Sequence, residues 1–106
     1  QVLTPLWIPE SYVLQATEAY TDPQGGEWTR LRYTDGLETM MVLQGSEQAT
    51  AQAPTRGPAK SALTQIFVHK IGAWTAVEGF ANGKHFIVIG KRPEADLVAT
   101  LASLIP

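Results

Sequence analysis

The clearest fold signal in this chain of 106 residues is the segment AWTAVEGFANGKHFIVIG, residues 73–90. At its centre stands Asn82-Gly83, a dipeptide in which both residues tolerate a positive φ, and which therefore favours a two-residue β-hairpin turn. Such a turn predicts that strands 73–80 and 84–90 pair antiparallel in a single register. The predicted pairs are Phe80 with His85, Gly79 with Phe86 and Val77 with Val88.

A second hairpin is predicted earlier in the chain. Residues 27–33 alternate cleanly between the two faces of a strand. Asp35-Gly36 follows them and is a strong short-range hairpin signal, so residues 37–43 are expected to be the partner strand.

Two further strands are predicted outside these hairpins. Residues 11–20 have a period-two pattern, and residues 62–70 have the apolar content of a strand. The polar stretch between the hairpins, residues 44–60, predicts a mobile loop. The face predicted for the first strand is formed by Tyr12, Leu14 and Ala16.

The end of the chain has the pattern of a helix. Pro93 suits a first helical turn, and Glu94 and Asp96 favour the positive end of the helix dipole. Apolar residues at three- and four-residue spacing then form one stripe: Leu97, Val98, Leu101, Leu104 and Ile105. The predicted fold class is therefore α+β, a mostly antiparallel sheet of about six strands in meander order with one C-terminal helix packed on one face.

The predicted helix is too small for the predicted sheet. A helix of about ten residues is roughly 15–18 Å long and covers only part of one face. Strands 37–43, 62–70 and 84–90 carry apolar residues on both faces, so the second face requires another cover. The candidates are the long loop, the proline-containing lead-in at residues 3–9, another domain or a partner.

Composition narrows the function classes. The net charge of −2 produces no broad positive field, so nucleic acid is not an expected partner. The absence of cysteine excludes disulfide and thiol chemistry but leaves the redox compartment open. A single domain over residues 1–106 is expected, with no membrane span and no signal peptide; a processed protein and an excised fragment both fit the sequence.

The best candidates for partner contact are Trp28, Arg30, Arg32 and Trp74. The first three share one face of the strand 27–33, and tryptophan and arginine are enriched at binding hot spots. A basic and aromatic stripe can also bind nucleic acid. Three such residues on a net-acidic chain are weak evidence for nucleic-acid binding. A protein contact, or simple packing of the indole beside solvated arginines, is favoured instead.

No catalytic, cofactor or metal site is predicted, and the chain is not expected to be an enzyme. His69 and His85 lack a second ligand at a spacing that zinc uses. No serine lies in a Gly-x-Ser-x-Gly turn. Glu78 stands in an apolar strand and has two interpretations: a buried acid with a raised pKa, or a sheet position that faces water or pairs with a lysine. We favour the second.

Several blocks of the chain, in order, resemble the small C-terminal domain of the MucB/RseB family. They are PLWIPESYVL at residues 5–14, LRYTDGLETMMVL at residues 31–43, and HKIGAWTAVEGFANGKHFIVIGKRPEADLVATLASLIP at residues 69–106. The sequence departs from the family pattern at Ser11, where the family favours glycine, and at Lys91-Arg92, where it favours an acidic residue.

The resemblance implies a periplasmic regulator of the sigma-E envelope-stress response. The parent protein would carry a larger LolA-like N-terminal domain, absent from this chain, on which the present domain packs, and it would bind the periplasmic region of an anti-sigma factor. The resemblance carries no catalytic residue and no cofactor. An alternative relative is the C-terminal domain attached to LolA-like lipoprotein-sorting proteins, which implies a lipid or lipoprotein as the ligand.

Overall fold

A computed structural model of the chain describes residues 2–46 and 65–105, which form one antiparallel sheet and one helix. The predicted α+β class is confirmed. Residues 47–64 lie outside the described residues and contain most of the predicted loop and the start of the predicted strand 62–70. The elements are β1 (Val13–Thr21), β2 (Glu27–Thr34), β3 (Thr39–Ser46), β4 (Ile66–Ile71), β5 (Trp74–Ala81), β6 (Lys84–Gly90) and α1 (Glu94–Ala102).

The turn between β5 and β6 has the predicted geometry. Asn82 and Gly83 have φ values of 55° and 73°, which is the pattern of a type I′ hairpin turn. Ala81 and Lys84 flank the turn as a pair. The register that follows confirms all three predicted pairs, Phe80 with His85, Gly79 with Phe86 and Val77 with Val88.

The strand order corrects the predicted meander. The sheet runs β1-β2-β3-β6-β5-β4, so β3 pairs with β6 and not with the strand that follows it in sequence. The sheet therefore consists of two three-stranded meanders, β1-β2-β3 and β4-β5-β6. They are joined by the pairing of the apolar strands β3 and β6. β6 has apolar residues on both faces and suits the centre of a sheet, whereas β4 is exposed over most of its length and lies at an edge.

The core lies on one face of the sheet, under α1. The buried helix residues Leu97 and Leu101 pack in one cluster with Val42, Val88 and other strand residues of that face. The predicted helix stripe is confirmed, although α1 ends at Ala102 and the last residues of the stripe follow it in a turn. Leu104 is still buried in the cluster. Residues from the edges and the middle of the sheet share this one core.

The N-terminal lead-in lies on the same face as α1 and so does not cover the opposite face. The backbone N–H of Leu6 donates to the carbonyl of Ser103 at the end of the helix. Leu3 exchanges two hydrogen bonds with the side-chain amide of Gln44, through its N–H at 2.8 Å and its carbonyl at 2.7 Å. Because Gln44 lies on the core side of β3, the lead-in and α1 together cover the same face of the sheet.

Two strand predictions need correction. β3 begins at Thr39 and not at residue 37, because residues 35–38 form the loop between the paired Thr34 and Thr39. It extends through Ser46, beyond the predicted end at residue 43, because Gln44 and Gly45 are held in the sheet by contacts from other elements. β1 starts at Val13, and a bulge between Leu14 and Ala16 breaks the predicted period-two face. Tyr12, the first residue of that predicted face, is buried in the core ahead of the strand.

The departure from the family pattern at Ser11 has a structural cost. Ser11 has a φ of 76°, a left-handed conformation that glycine adopts without steric cost. The turn is closed by a hydrogen bond of 3.2 Å from the N–H of Tyr12 to the carbonyl of Pro9. The turn directs Tyr12 into the core, so serine at this position bears a backbone strain that glycine would remove.

Candidate partner-binding face

The sheet face opposite α1, called here the helix-free face, has an apolar strip along its centre. β3 contributes Met41 and Leu43, which pair with Ile89 and Ile87 of β6. All four side chains are half-buried, whereas their sequence neighbours Val42 and Val88 on the core face are fully buried. The strip is therefore a row of aliphatic side chains that the helix and lead-in leave accessible, which matches the prediction of apolar residues on both faces.

The predicted arginines border this strip on the β2 side. Glu18 of β1 lies opposite Arg30, and its carboxylate accepts hydrogen bonds from Arg30 Nε at 2.9 Å and Arg32 Nη2 at 2.6 Å. These bonds, with that from Arg30 the largest influence, hold the pKa of Glu18 below its usual value. The Arg30 guanidinium also lies 5.7 Å from the centre of the Tyr20 ring. The arginines are thus oriented by neighbours and keep about a third of their side-chain surface exposed.

Trp28 is on the same face but is buried. Its indole Nε1 donates to Asp22 Oδ2 at 2.8 Å, and this bond is the largest cause of the lowered pKa of Asp22. The ring crosses Gly45, where an added Cβ would lie only 2.8 Å from it, and meets the ring of His85 edge-on at 5.2 Å. The buried Trp28 ring therefore forms one end of the helix-free face.

A glutamate joined to two histidines borders the other side of the strip. Glu78 of β5 accepts hydrogen bonds of 2.6 Å from Nε2 of His69 and from Nε2 of His85, one on each carboxylate oxygen. Burial alone would raise the pKa of Glu78, but the two histidine hydrogen bonds outweigh it and hold the pKa below its usual value. The first interpretation is wrong, because the pKa is not raised; in the second, the sheet position is partly exposed at 23% of its side chain, but its partners are histidines and not a lysine.

His85 is the most constrained member of this cluster. Its ring stacks on Phe80 with 4.3 Å between the ring centres, and the residue is only 5% exposed. Its Nε2 is bonded to Glu78, whereas its Nδ1 is buried without a hydrogen-bond partner among the described atoms. Within residues 2–46 and 65–105, no group of three histidine, cysteine or acidic side chains has the arrangement of a metal site.

Trp74 completes the predicted set at the opposite end of the face. It is half-buried at the start of β5, and Lys91 Nζ lies 5.1 Å from the centre of its ring. Lys91 also approaches Glu38 at 3.9 Å. β3 and β6 separate Trp74 from the β2 residues, a distance of roughly 14 Å at the usual strand spacing. All four predicted residues share one face, and their role in binding stays a prediction.

A broad depression of about 480 Å³ lies at the end of the sheet nearest Trp28. Its walls mix the Tyr20 and Trp28 rings with polar side chains such as Glu27 and Gln44. The space between α1 and the sheet, in contrast, is filled by fully buried side chains such as Leu97 and Phe86.

The fold and this face define a class: an α+β domain whose helix and lead-in cover one side of a six-stranded sheet. The same fold is found in solved structures of MucB. A crystal structure of MucB in complex with MucA(peri) has a TM-score of 0.68 and 17% identity, with 93% of this chain and 34% of that chain covered. A Pseudomonas aeruginosa MucA/MucB complex has a TM-score of 0.66 and 20% identity, with coverage of 97% and 35%.

The resemblance predicted from the sequence is thereby confirmed for the fold. The chain spans about a third of the length of the MucB chains that it matches. No protein-family model and no curated protein matches the sequence. Among the described residues, no helix is long and apolar enough to cross a membrane. A LolA-like domain preceding this one stays a prediction.

Proposed function

We propose that this chain is a non-enzymatic extracytoplasmic binding module, which contributes to the regulation of an envelope-stress sigma factor by contacting the periplasmic region of an anti-sigma factor. The fold supports the proposal, because the MucB proteins that share it were solved as complexes with MucA. The family resemblance supplies the regulatory role and the periplasmic location. In the same proposal, the domain packs on a LolA-like domain of its parent protein.

The observation that carries the binding role is the apolar strip on the helix-free face. Four aliphatic side chains, half-buried at the centre of the sheet, lie between an arginine-bearing border and the Glu78 cluster. Apolar area surrounded by oriented polar groups is typical of a surface that meets another protein. The apolar strip would exclude water from the centre of an interface, and the polar side chains around it would form the rim. Such a surface requires no catalytic group.

The test is direct binding of the purified chain to the extracytoplasmic region of the anti-sigma factor from the same organism. We expect Leu43→Asp to weaken binding by about tenfold or more, because it places a charge at the centre of the strip. Leu37→Ser is the matched control, since Leu37 is 92% exposed at a hairpin tip away from the strip and its loss should change affinity by less than about twofold.

Two outcomes would contradict the proposal. One is the absence of detectable binding by the unsubstituted chain at tens of micromolar. The other is equal binding by the Leu43→Asp and Leu37→Ser variants, which would remove the role of the strip. Binding of a lipoprotein or of lipid vesicles in place of the anti-sigma factor would assign the chain to lipoprotein handling, the alternative implied by the sequence.

A further inference from the structure

The two edges of the sheet differ in how they are protected. β1 carries a bulge between Leu14 and Ala16, a device that disrupts pairing with a further strand. β4 pairs with β5 in an unbroken register over its whole length, without a bulge or a proline. Among residues 2–46 and 65–105, β5 is the only strand that pairs with β4. Within the described residues β4 thus presents a regular edge, and such an edge is a template for another strand.

Backbone geometry identifies the groups that this edge offers. Gly72, with a φ of 61°, and Ala73 form a two-residue turn, and Ile71 and Trp74 flank it as a pair. Residues that flank a two-residue hairpin turn direct their backbone hydrogen bonds at each other, so the backbone groups of Ile71 point toward β5. Because hydrogen-bonding direction alternates along an antiparallel strand, Ile66, Val68 and Lys70 direct their N–H and C=O groups outward.

The side chains beside these groups define the chemistry of a suitable partner. Val68 is 38% exposed and lies opposite the fully buried Val77, so it extends the core to the sheet edge. Lys70 is on the same face two residues further along, 64% exposed in its side chain, and 3.6 Å from the exposed Glu94. β4 itself contains no acidic residue. An apolar side chain beside Val68 and an acidic one beside Lys70 would complement this edge.

We propose that β4 is the edge to which an extended acidic segment of the binding partner adds as a seventh strand. This inference rests on the proposed binding function and names the part of the surface that holds the partner's backbone. The segment carries an apolar residue and an acidic residue two positions apart, which face Val68 and Lys70 respectively. Main-chain hydrogen bonds to the three outward positions supply affinity, and the two side chains supply register.

The decisive comparison is Val68→Pro against Val68→Thr, with the labelled extracytoplasmic region of the organism's own anti-sigma factor as the probe. Proline removes an N–H that points outward and leaves the bonds between β4 and β5 in place, since edge positions tolerate proline. We expect Val68→Pro to weaken binding by about tenfold or more. Val68→Thr keeps the N–H and should stay within about threefold of the unsubstituted chain.

A second measurement uses the unsubstituted chain and does not depend on the folding of the proline variant. In the free chain, amide hydrogen exchange measured by NMR should be fast at Ile66, Val68 and Lys70 and slow at Phe67 and His69. On addition of the probe, exchange at the three outward amides should slow by about tenfold or more. A partner that docks only through side chains on the helix-free face would leave these amides unprotected.

Charge gives an independent check. Lys70→Glu should weaken binding of an acidic segment by several-fold and reduce its salt dependence, whereas Lys91→Glu, a matched reversal at Trp74, should have a smaller effect.

Equal binding by the proline and threonine variants, with unchanged exchange at the outward amides, would overturn the edge inference and leave the proposed function standing. No binding by the unsubstituted chain would overturn both. A dimer of the chain alone that Val68→Pro dissociates would assign the edge to self-association and overturn the inference.

Discussion

Replacement of Gly45 by alanine should destabilise the fold through the indole of Trp28. A Cβ at position 45 would lie 2.8 Å from Trp28 Cδ2, 2.9 Å from Cε3 and 3.0 Å from the carbonyl oxygen of Glu27. Carbon atoms in favourable contact are about 3.5–4.0 Å apart, so the ring would need to retreat by roughly 0.7–1.2 Å. Gly45 itself has no positive φ, and the cost is therefore steric.

The indole cannot retreat without losing other contacts. Its Nε1 is bonded to Asp22 at 2.8 Å, and its edge meets His85 at 5.2 Å. Overpacking of this kind costs about 1–3 kcal/mol, and a weakened hydrogen bond about 0.5–1.5 kcal/mol. Alanine recovers roughly 0.5–1 kcal/mol over glycine in a strand. We therefore expect the free energy of unfolding to fall by about 2 kcal/mol, and Tm by roughly 10 °C.

A double-mutant cycle measures this coupling. Urea unfolding should be followed by far-ultraviolet circular dichroism, because Trp28 fluorescence would itself respond to the substitution. In a Trp28→Ala background, Gly45→Ala should cost much less, since the clashing ring is gone and only the 3.0 Å approach to the Glu27 carbonyl remains. The same loss of stability in both backgrounds, or no loss in either, would refute the account.

Three other predictions follow from the structure. Because the pKa of Glu78 is lowered in the fold, its stabilising contribution is present above the ordinary glutamate pKa of 4.5 and is lost as pH falls through the lower folded value, so Glu78→Gln should flatten the stability profile in acid. Ser11→Gly should stabilise the chain by up to about 1 kcal/mol by relieving its positive φ. Leu97→Ala should cost about 2–5 kcal/mol, because Leu97 is fully buried.

Each of these has a control. For Glu78, denaturant titrations at pH values from 3 to 7, roughly the range over which carboxylates titrate, should show parallel profiles if the histidine bonds are unimportant. For Ser11, thermal unfolding of Ser11→Ala should show no gain, since alanine retains the Cβ; a gain equal to that of glycine would exclude backbone strain as the cause. For Leu97, the exposed Leu6→Ala should change stability by less than about 0.5 kcal/mol, and a comparable loss would contradict the placement of the core.

The candidate site was predictable where it depends on one hairpin. The register set by Asn82-Gly83 places Glu78 diagonally from His85 on one face, so this contact follows from local information. The third member, His69, depends on the β4–β5 hairpin as well. Neither histidine has a zinc-ligand spacing in the sequence, and their shared carboxylate was not predicted. The alternation along strands of known register was the signal that could have revealed it.

Trp28 illustrates the opposite case. Its place on the face with Arg30 and Arg32 follows from strand alternation, but its burial does not. The indole is buried because β3 brings Gly45 beneath it and β6 brings His85 beside it. The contact with Gly45 depends on the β2–β3 hairpin, in which Trp28 and Gly45 are a pair. The contact with His85 depends on the pairing of β3 with β6, which are far apart in the sequence.

The sequence by itself determined the local elements: the turns at Asn82-Gly83 and Asp35-Gly36, the register set by Asn82-Gly83, and the apolar stripe of α1. Each depends on backbone preferences and side-chain periodicity over a few residues. Only the tertiary structure decided that β3 pairs with β6, that the lead-in joins α1 on one face, and that β4 forms an edge. These pairings depend on how much apolar area distant segments of the chain bury together. No local sequence pattern specifies that quantity.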